Sequence, residues 1–258
     1  MQQQEEEGGD VSPLTIDVVQ IVSNDFSRKC DELVARSIPR EAVFDLVNHL
    51  DACPWPVFDE EKPVTISLSA FQKNDVYVGC ELANPSQRMV FKRLGKGLPA
   101  ELNVKQARRV HIVQTLFNLV TRIFNCNVDP VNTLRTSDIK VYEDKASGLF
   151  YICEPYLDLE FVKYNNNCGY VSDEGSYENE AVQALCHFSY HFSRHKIMFV
   201  NLQGVGDRLV DVHMHTEYGC AFEGTDLNEV GMERFLLTHE CNQVCKKLKL
   251  PPVEDHLY

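Results

Sequence analysis

The chain lacks any run of about eighteen apolar residues, so nothing in it predicts a membrane-spanning helix. It also lacks positive charge in excess. Its 258 residues hold 25 Lys and Arg against 38 Asp and Glu, a formal net charge of -13. A protein that grips a phosphate backbone through general electrostatics needs the opposite balance, which argues against a nucleic-acid binder. The first ten residues, MQQQEEEGGD, are acidic and polar and have neither the apolar stretch of a secretory signal nor the arginines of a transit peptide. There is no internal repeat, and the ten cysteines show no secreted-framework spacing. Reduced thiols in the cytoplasm are expected. What is present is ordinary for a chain that buries a core: 44% hydrophobic and 24% charged residues.

Composition and periodicity divide the chain. Residues 1–12 are expected to be a disordered acidic tail. Residues 13–62 are expected to be a helical extension, with Ala42, Val43, Leu46, Val47 and Leu50 at helical spacing. Pro54 and Pro56 end it. From Val64 the pattern turns to strands, at 65–69, 76–78 and 89–92. A helix is predicted over 103–125, with Val110, Val113, Leu116, Phe117, Val120 and Phe124 as its apolar face. Strands at 139–142 and 150–153, a helix at 180–194, a strand at 197–201 and a last helix over 230–248 follow. The order suggests a two-lobed α+β enzyme, with a first lobe over about 63–153 and a second over about 154–258.

Two segments carry candidate chemistry. In His239-Glu240-Cys241-Asn242-Gln243-Val244-Cys245, the two cysteines stand four apart. On one helix that spacing aims both sulfurs at one ion, and tetrahedral zinc then needs a fourth ligand, for which His187 and His215 are the candidates. Ordinary buried cysteines beside a surface histidine give the same string. In Asn201-Leu202-Gln203-Gly204-Val205-Gly206-Asp207, a strand delivers Gln203 and Asp207 to its end, with Asp211 just beyond. Grouped side-chain oxygens suit Mg2+ shared with substrate phosphates, and the two glycines would let backbone approach a ligand. A plain glycine turn is the alternative. Lys92 ends an apolar strand, where a lysine can pair with a phosphate and an acid. Glu154 follows the strand 151–153 as a candidate acceptor for a nucleotide base. Asn165, Asn166 and Asn167 make a polar loop.

Together these segments resemble the alpha-kinase family of atypical serine/threonine protein kinases. The strings EFVKYNNNCGYV, QALCHFSYHFS, NLQGVGD and HECNQVCKKLKLPP look like its signatures in family order, within a match over about 64–251. The resemblance implies a kinase-like fold with an N-terminal sheet lobe and a zinc-bearing C-terminal lobe, acting on ATP, Mg2+ and a protein substrate. It implies Lys92 on the ATP phosphates, Glu154 near the adenine, Gln203 beside magnesium and Asp211 as the catalytic acid. It implies His187, His239, Cys241 and Cys245 as zinc ligands, favouring His187 over His215. Lys163 and Asn167 would border the cleft.

The chain also departs from the family pattern. Asn201 stands where the family usually has Asp, and a neutral amide is a poorer ligand for a hard cation. The family's glycine loop is replaced by Glu223-Gly224-Thr225-Asp226-Leu227-Asn228, whose two acids would repel phosphates. Asn74-Asp75-Val76-Tyr77 replaces the family's Gly-Gly-x-Arg. A complete zinc set beside an eroded nucleotide set makes a binding scaffold without catalysis the rival to an active kinase.

Overall fold

A computed structural model of the chain describes residues 13–24, 28, 58–72, 75–94, 99–217 and 225–253. The acidic tail, the helix expected around 42–50 and the proline break at 54–56 lie outside the described residues. In chain order the strands are β1 (Leu14–Val22), β2 (Glu60–Gln72), β3 (Val76–Glu81), β4 (Met89–Leu94), β5 (Arg135–Thr136), β6 (Lys140–Asp144), β7 (Leu149–Pro155), β8 (Val162–Lys163), β9 (Ile197–Val200), β10 (Gln203–Val205), β11 (Arg208–Val210) and β12 (His213–Thr216). The helices are α1 (Ala100–Asn125), α2 (Tyr177–Phe192), α3 (Asn228–Thr238) and α4 (Gln243–Lys247). The chain divides into two compact units, of which the first takes in residues up to Val22, Glu60–Ala107 and Ile139–Tyr156. The second takes in Ser23–Asp59, Arg108–Asp138 and the chain from Leu157 onward.

The first unit is a closed antiparallel barrel in the order β1-β2-β3-β4-β7-β6. Its core alternates along each strand, as the two-residue period of a strand requires. Ile66 and Leu68, Met89 and Phe91, and Tyr151 and Cys153 all face inward with Val18 and Tyr142. The expected helical extension is corrected here, because Leu14–Val22 is a strand paired with both β2 and β6. The stretch LTIDVVQIV is mostly β-branched, and such side chains lose rotamer freedom in a helix but fit a pleated surface.

The second unit is built round α2 and the buried strand β9, all four of whose residues are buried. Phe117, Phe124, Leu185 and Phe199 are among the fully buried side chains of its core, and Phe117 meets Phe199 edge-to-face at 5.2 Å. The helix expected over 103–125 is α1, with the predicted face from Val113 to Phe124 buried. The single last helix expected over 230–248 is instead two, α3 and α4. Asn242 causes the break: its side chain accepts the backbone N–H of Val244 and of Cys245, the cap that starts a new helix.

One long hairpin organises the site. β12 pairs with β9, and β11 pairs with β10. His213 faces Val200 and Val210 faces Gln203, so two residues on each arm separate the paired halves and the register is the same on both sides. The interruption consists of Asn201-Leu202 and Asp211-Val212. Asn201 and Asp211 both have left-handed backbone, φ 59° and 58°. Asn and Asp tolerate that region better than other side chains do. At the tip, Gly206 (φ 55°) and Asp207 form a two-residue turn of the glycine-first kind.

The two glycines of this hairpin serve it differently. A Cβ on Gly204 would lie 1.9 Å from the Arg208 carbonyl oxygen, whereas one on Gly206 would meet nothing within 4 Å. Gly204 is thus a packing requirement of the β10–β11 pair, not a ligand approach. Gly204→Ala is expected to lower stability by about 3 kcal/mol through forced backbone displacement. Gly206→Ala is expected to cost only about 1 kcal/mol from the left-handed conformation. Urea unfolding of both variants checks the ranking, and equal losses would refute the steric account.

Candidate functional site

In the barrel, Lys92 and Glu154 form an ion pair at 2.6 Å. Register explains it. Val90 faces Glu154 and Lys92 faces Ile152, so the pair is a diagonal cross-strand contact on the side opposite Phe91 and Cys153. Glu154 is 5% exposed. Its carboxylate is paired with Lys92.

In the second unit the interrupted hairpin gathers four of the expected residues. Lys163, on β8, sits opposite Gln203 of β10. Its Nζ donates to Asn201 Oδ1 at 2.9 Å. Asn201 Nδ2 donates to the Asp211 backbone carbonyl at 2.9 Å and lies 3.4 Å from Asp211 Oδ2. Gln203 Nε2 donates to the same carboxylate oxygen at 2.6 Å. A cation, two amides and a carboxylate therefore converge where both arms of the hairpin turn aside.

Two expected residues do not join them. Asp207 stands at the hairpin tip, where Arg135 Nε and a terminal guanidinium nitrogen grip its carboxylate at 2.7 and 2.5 Å. The expectation that Asp207 shares a metal with Gln203 is corrected by that two-pronged pair. Asn167 donates to the Thr225 carbonyl at 3.3 Å, and its own carbonyl takes a bond of 3.1 Å from His215 Nε2.

The second grouping is His187, His239, Cys241 and Cys245, whose ligand atoms all lie within 4.8 Å of one another. Cys241 Sγ is 3.7 Å from His187 Nδ1, and Cys245 Sγ is 3.5 Å from His239 Nε2. A tetrahedral zinc with ordinary Zn–S and Zn–N bonds would set such edges at about 3.6 Å, so the donor set fits. The helical-face argument for the cysteines is corrected: Cys241 lies in the break before α4, and only Cys245 is helical. Burial pushes the His239 imidazole down to about 4 and the Cys245 thiol up to about 12. The imidazole is thus neutral, as a ligand must be, and the thiol ionises only when a cation is present to compensate.

His215, the other candidate ligand, is absent from that cluster. Its Nδ1 accepts the Leu227 N–H at 3.0 Å, which leaves Nε2 to donate to Asn167. Gly231 on α3 makes room for the ring, since a Cβ there would lie 2.4 Å from Nε2.

Asp226, expected to repel phosphates, is turned inward. Its carboxylate accepts from the Thr216 N–H at 3.0 Å, the Thr216 hydroxyl at 2.6 Å and the Asn228 N–H at 2.9 Å. Its companion Glu223 lies outside the described residues. Burial acts to raise the Asp226 pKa, but the bonds from Thr216 and Asn228 outweigh it and hold the carboxyl below its ordinary 3.8. A depressed folded-state pKa contributes stability above the unfolded value, and that stability is lost as pH falls through the folded one. Asp226→Asn is therefore expected to cost about 1–2 kcal/mol at neutral pH and less in acid below the ordinary 3.8. Denaturant titrations at the two pH values check this, and a difference independent of pH would refute the charged network.

Residues 69–245 match the model of the alpha-kinase family. Myosin heavy chain kinase B of Dictyostelium discoideum is 35% identical over 123 residues, 48% of this chain and 16% of that protein. Myosin heavy chain kinase C of the same organism is 42% identical over 100 residues, 39% of this chain and 12% of that protein. Human eukaryotic elongation factor 2 kinase is 33% identical over 124 residues, 48% of this chain and 17% of that protein. The chain thus spans about a sixth or less of the length of these relatives. Among solved structures, an alpha kinase from Entamoeba histolytica superposes with a TM-score of 0.71 at 18% identity, over 95% of this chain and 94% of that one. The alpha-kinase domain of myosin-II heavy chain kinase A in complex with AMP-PNP gives 0.63 at 18% identity, over 95% and 97%. These last likenesses establish the mixed α+β fold. With the family model matched over more than half its length, the chain belongs to the alpha-kinase family.

Proposed function

We propose that the chain is an ATP-dependent serine/threonine protein kinase of the alpha type, transferring the ATP γ-phosphoryl group to a protein hydroxyl. The observation that carries this reading is the convergence of Lys163, Asn201, Gln203 and Asp211 at the interrupted hairpin. Phosphoryl transfer asks a protein mainly for positioning and charge stabilisation, and this group offers both. Asp211 is assigned to orient the substrate hydroxyl and accept its proton. Lys163, with Asn167 nearby in sequence, is assigned to border the substrate. Lys92, held by Glu154, is assigned to the phosphates. Glu154 is assigned near the adenine, from where it also holds Lys92 by the ion pair. Asn201 and Gln203 are the side chains that would hold Mg2+, which when bound neutralises charge on the phosphates.

The His187, His239, Cys241 and Cys245 cluster is assigned to a structural zinc. Four protein ligands leave no open position, so the ion would tie the segment around Cys241 and Cys245 to α2 rather than take part in chemistry. Reduced thiols there suit the cytoplasm. The described cysteines outside the cluster are likewise free. No helix among the described residues is long and apolar enough to cross a membrane, and the partner assigned is a protein.

A second reading rests on Asn201. Its amide donates to Asp211 where a carboxylate would not, so the group has one carboxylate and is closed by its own hydrogen bonds. On that reading the domain is a catalytically inactive scaffold of alpha-kinase fold that binds a partner protein.

Calorimetry with Mg-ATP separates the two. The kinase reading expects the wild type to bind, and Asn201→Asp to bind about tenfold more tightly at limiting magnesium by restoring a carboxylate ligand. Absence of binding by both proteins would sink the kinase reading and leave the scaffold. For the cluster, elemental analysis is expected to find one zinc per chain. Chelation or Cys241→Ser should lower Tm by about 10 °C or more. A Tm indifferent to both would refute the zinc assignment.

A further inference from the structure

The interruption of the hairpin deprives Leu202 of a partner strand, yet its backbone is fully bonded. The Leu202 N–H donates to Asn165 Oδ1 at 2.9 Å. Its carbonyl accepts from the Tyr164 N–H at 3.0 Å and the Asn165 N–H at 3.3 Å. Tyr164 carries the β8–β10 register one residue further, and Asn165 adds a second backbone bond and the side-chain acceptor for the Leu202 N–H.

Asn165 is in turn held by Gln183 of α2. Asn165 Nδ2 donates to Gln183 Oε1 at 3.1 Å and to Cys186 Sγ at 3.2 Å. Gln183 Nε2 donates to the Tyr164 carbonyl at 2.8 Å and to Asn179 Oδ1 at 2.7 Å. Asn165 is 0% exposed and Gln183 4%. Two primary amides, each both donor and acceptor, are spent in a core position flanked by Ala181, Val182, Ala184 and Leu185. At position 165 an apolar side chain of equal volume would fill the same space and leave the Leu202 N–H unpaired. Leu202 lies between Asn201 and Gln203, the two residues that bond Asp211.

We propose that the buried Asn165–Gln183 amide pair is a positioning device that holds the hairpin open at Leu202 and so fixes where Asn201 and Gln203 meet Asp211. Its consequence for nucleotide binding rests on the kinase reading, whereas the positioning itself does not. Neither residue touches the reacting groups. They act through Leu202: its N–H donates to Asn165, whose amide donates in turn to Gln183 on α2.

The test is backbone hydrogen exchange on the full chain, comparing wild type, Gln183→Met, Asn165→Ala and the double variant. In Gln183→Met the Leu202 amide is expected to exchange at least about tenfold faster, while amides in the middle of α2 stay within about twofold. Because both substitutions cut one path, the double variant should match Asn165→Ala alone at Leu202. Gln183→Glu keeps the acceptor for Asn165 but sets an oxygen against the Tyr164 carbonyl and Asn179 Oδ1, so it should also speed Leu202 exchange, and it replaces the methionine variant if that does not fold. Unchanged exchange at Leu202, acceleration shared equally by α2, or additive effects of the two substitutions would each overturn the proposal. Mg-ATP titration of the same proteins adds a second readout. About fivefold weaker binding by Gln183→Met is expected where the wild type binds. If the wild type does not bind, the kinase reading falls and the exchange pattern still decides the positioning.

Discussion

Two left-handed residues, one on each arm of a single hairpin, set the geometry on which the rest of the site depends. Without Asn201 and Asp211 at φ 59° and 58°, the equal spacing between the two paired halves would let β9–β12 and β10–β11 run on as a single ladder. A continued ladder would use its backbone groups on itself and alternate its side chains above and below. The interruption frees Leu202 to bond elsewhere and brings Asn201 and Gln203 to the same Asp211, two residues that a regular strand would also place on one face but without a carboxylate opposite them. The strain of two left-handed non-glycine residues is moderated because both are types whose short polar side chains suit that region.

The same hairpin relates the parts of the second unit that carry no candidate chemistry to those that do. Its tip is anchored by the Arg135–Asp207 pair, and the Gly206 carbonyl accepts the Tyr164 hydroxyl at 2.7 Å. Its base is buried strand β9 against α2. α2 carries Gln183 toward the hairpin and His187 toward the cysteines, one helical turn apart. Asn242 ties the far side of that helix in, donating to the Glu180 carbonyl at 2.8 Å while capping α4. A single helix therefore supports both groupings, which gives the His/Cys cluster a structural bearing on the unit that holds Asp211.

Much of this was legible in the residues, and the failures have physical causes. Long periodic segments such as α1 and α2, and the alternating strands β2, β4 and β7, follow from local pattern because one face of each is buried. β1 was misread as helix because its β-branched run LTIDVVQIV lies beside a longer stretch of helical spacing, and only pairing with β2 and β6 reveals it. The last helix was read through Asn242 because a cap inside an otherwise periodic segment has no apolar signature. The resemblance grouped His187 with the later ligands correctly in space, whereas residue spacing alone left His215 open. Asp207 looks like a metal-side acid and Asp226 like one that would repel phosphates, yet Arg135 and Thr216 engage them in pairings that no local pattern announces. Asn165 and Gln183 were missed for the same reason. The one available hint was a glutamine standing in an apolar run of α2.

Asn201 marks the point where fold and chemistry make different demands. The left-handed backbone there accepts Asn and Asp about equally, so the fold alone does not choose between them. The electrostatics do. An Asp would put a second carboxylate beside Asp211 and would need Lys163 or a cation to offset the repulsion. The amide removes that repulsion and adds a donor, so Lys163, Asn201, Gln203 and Asp211 form a neutral group whose bonds run in sequence from ammonium to carbonyl oxygen and from amide to Asp211. Such a group is complete without a divalent ion. A cation entering it must compete with two amide donors for the Asp211 carboxylate and finds one charged ligand instead of two. The amide therefore adds bonds to the resting geometry and offers a divalent ion one carboxylate fewer than an Asp would.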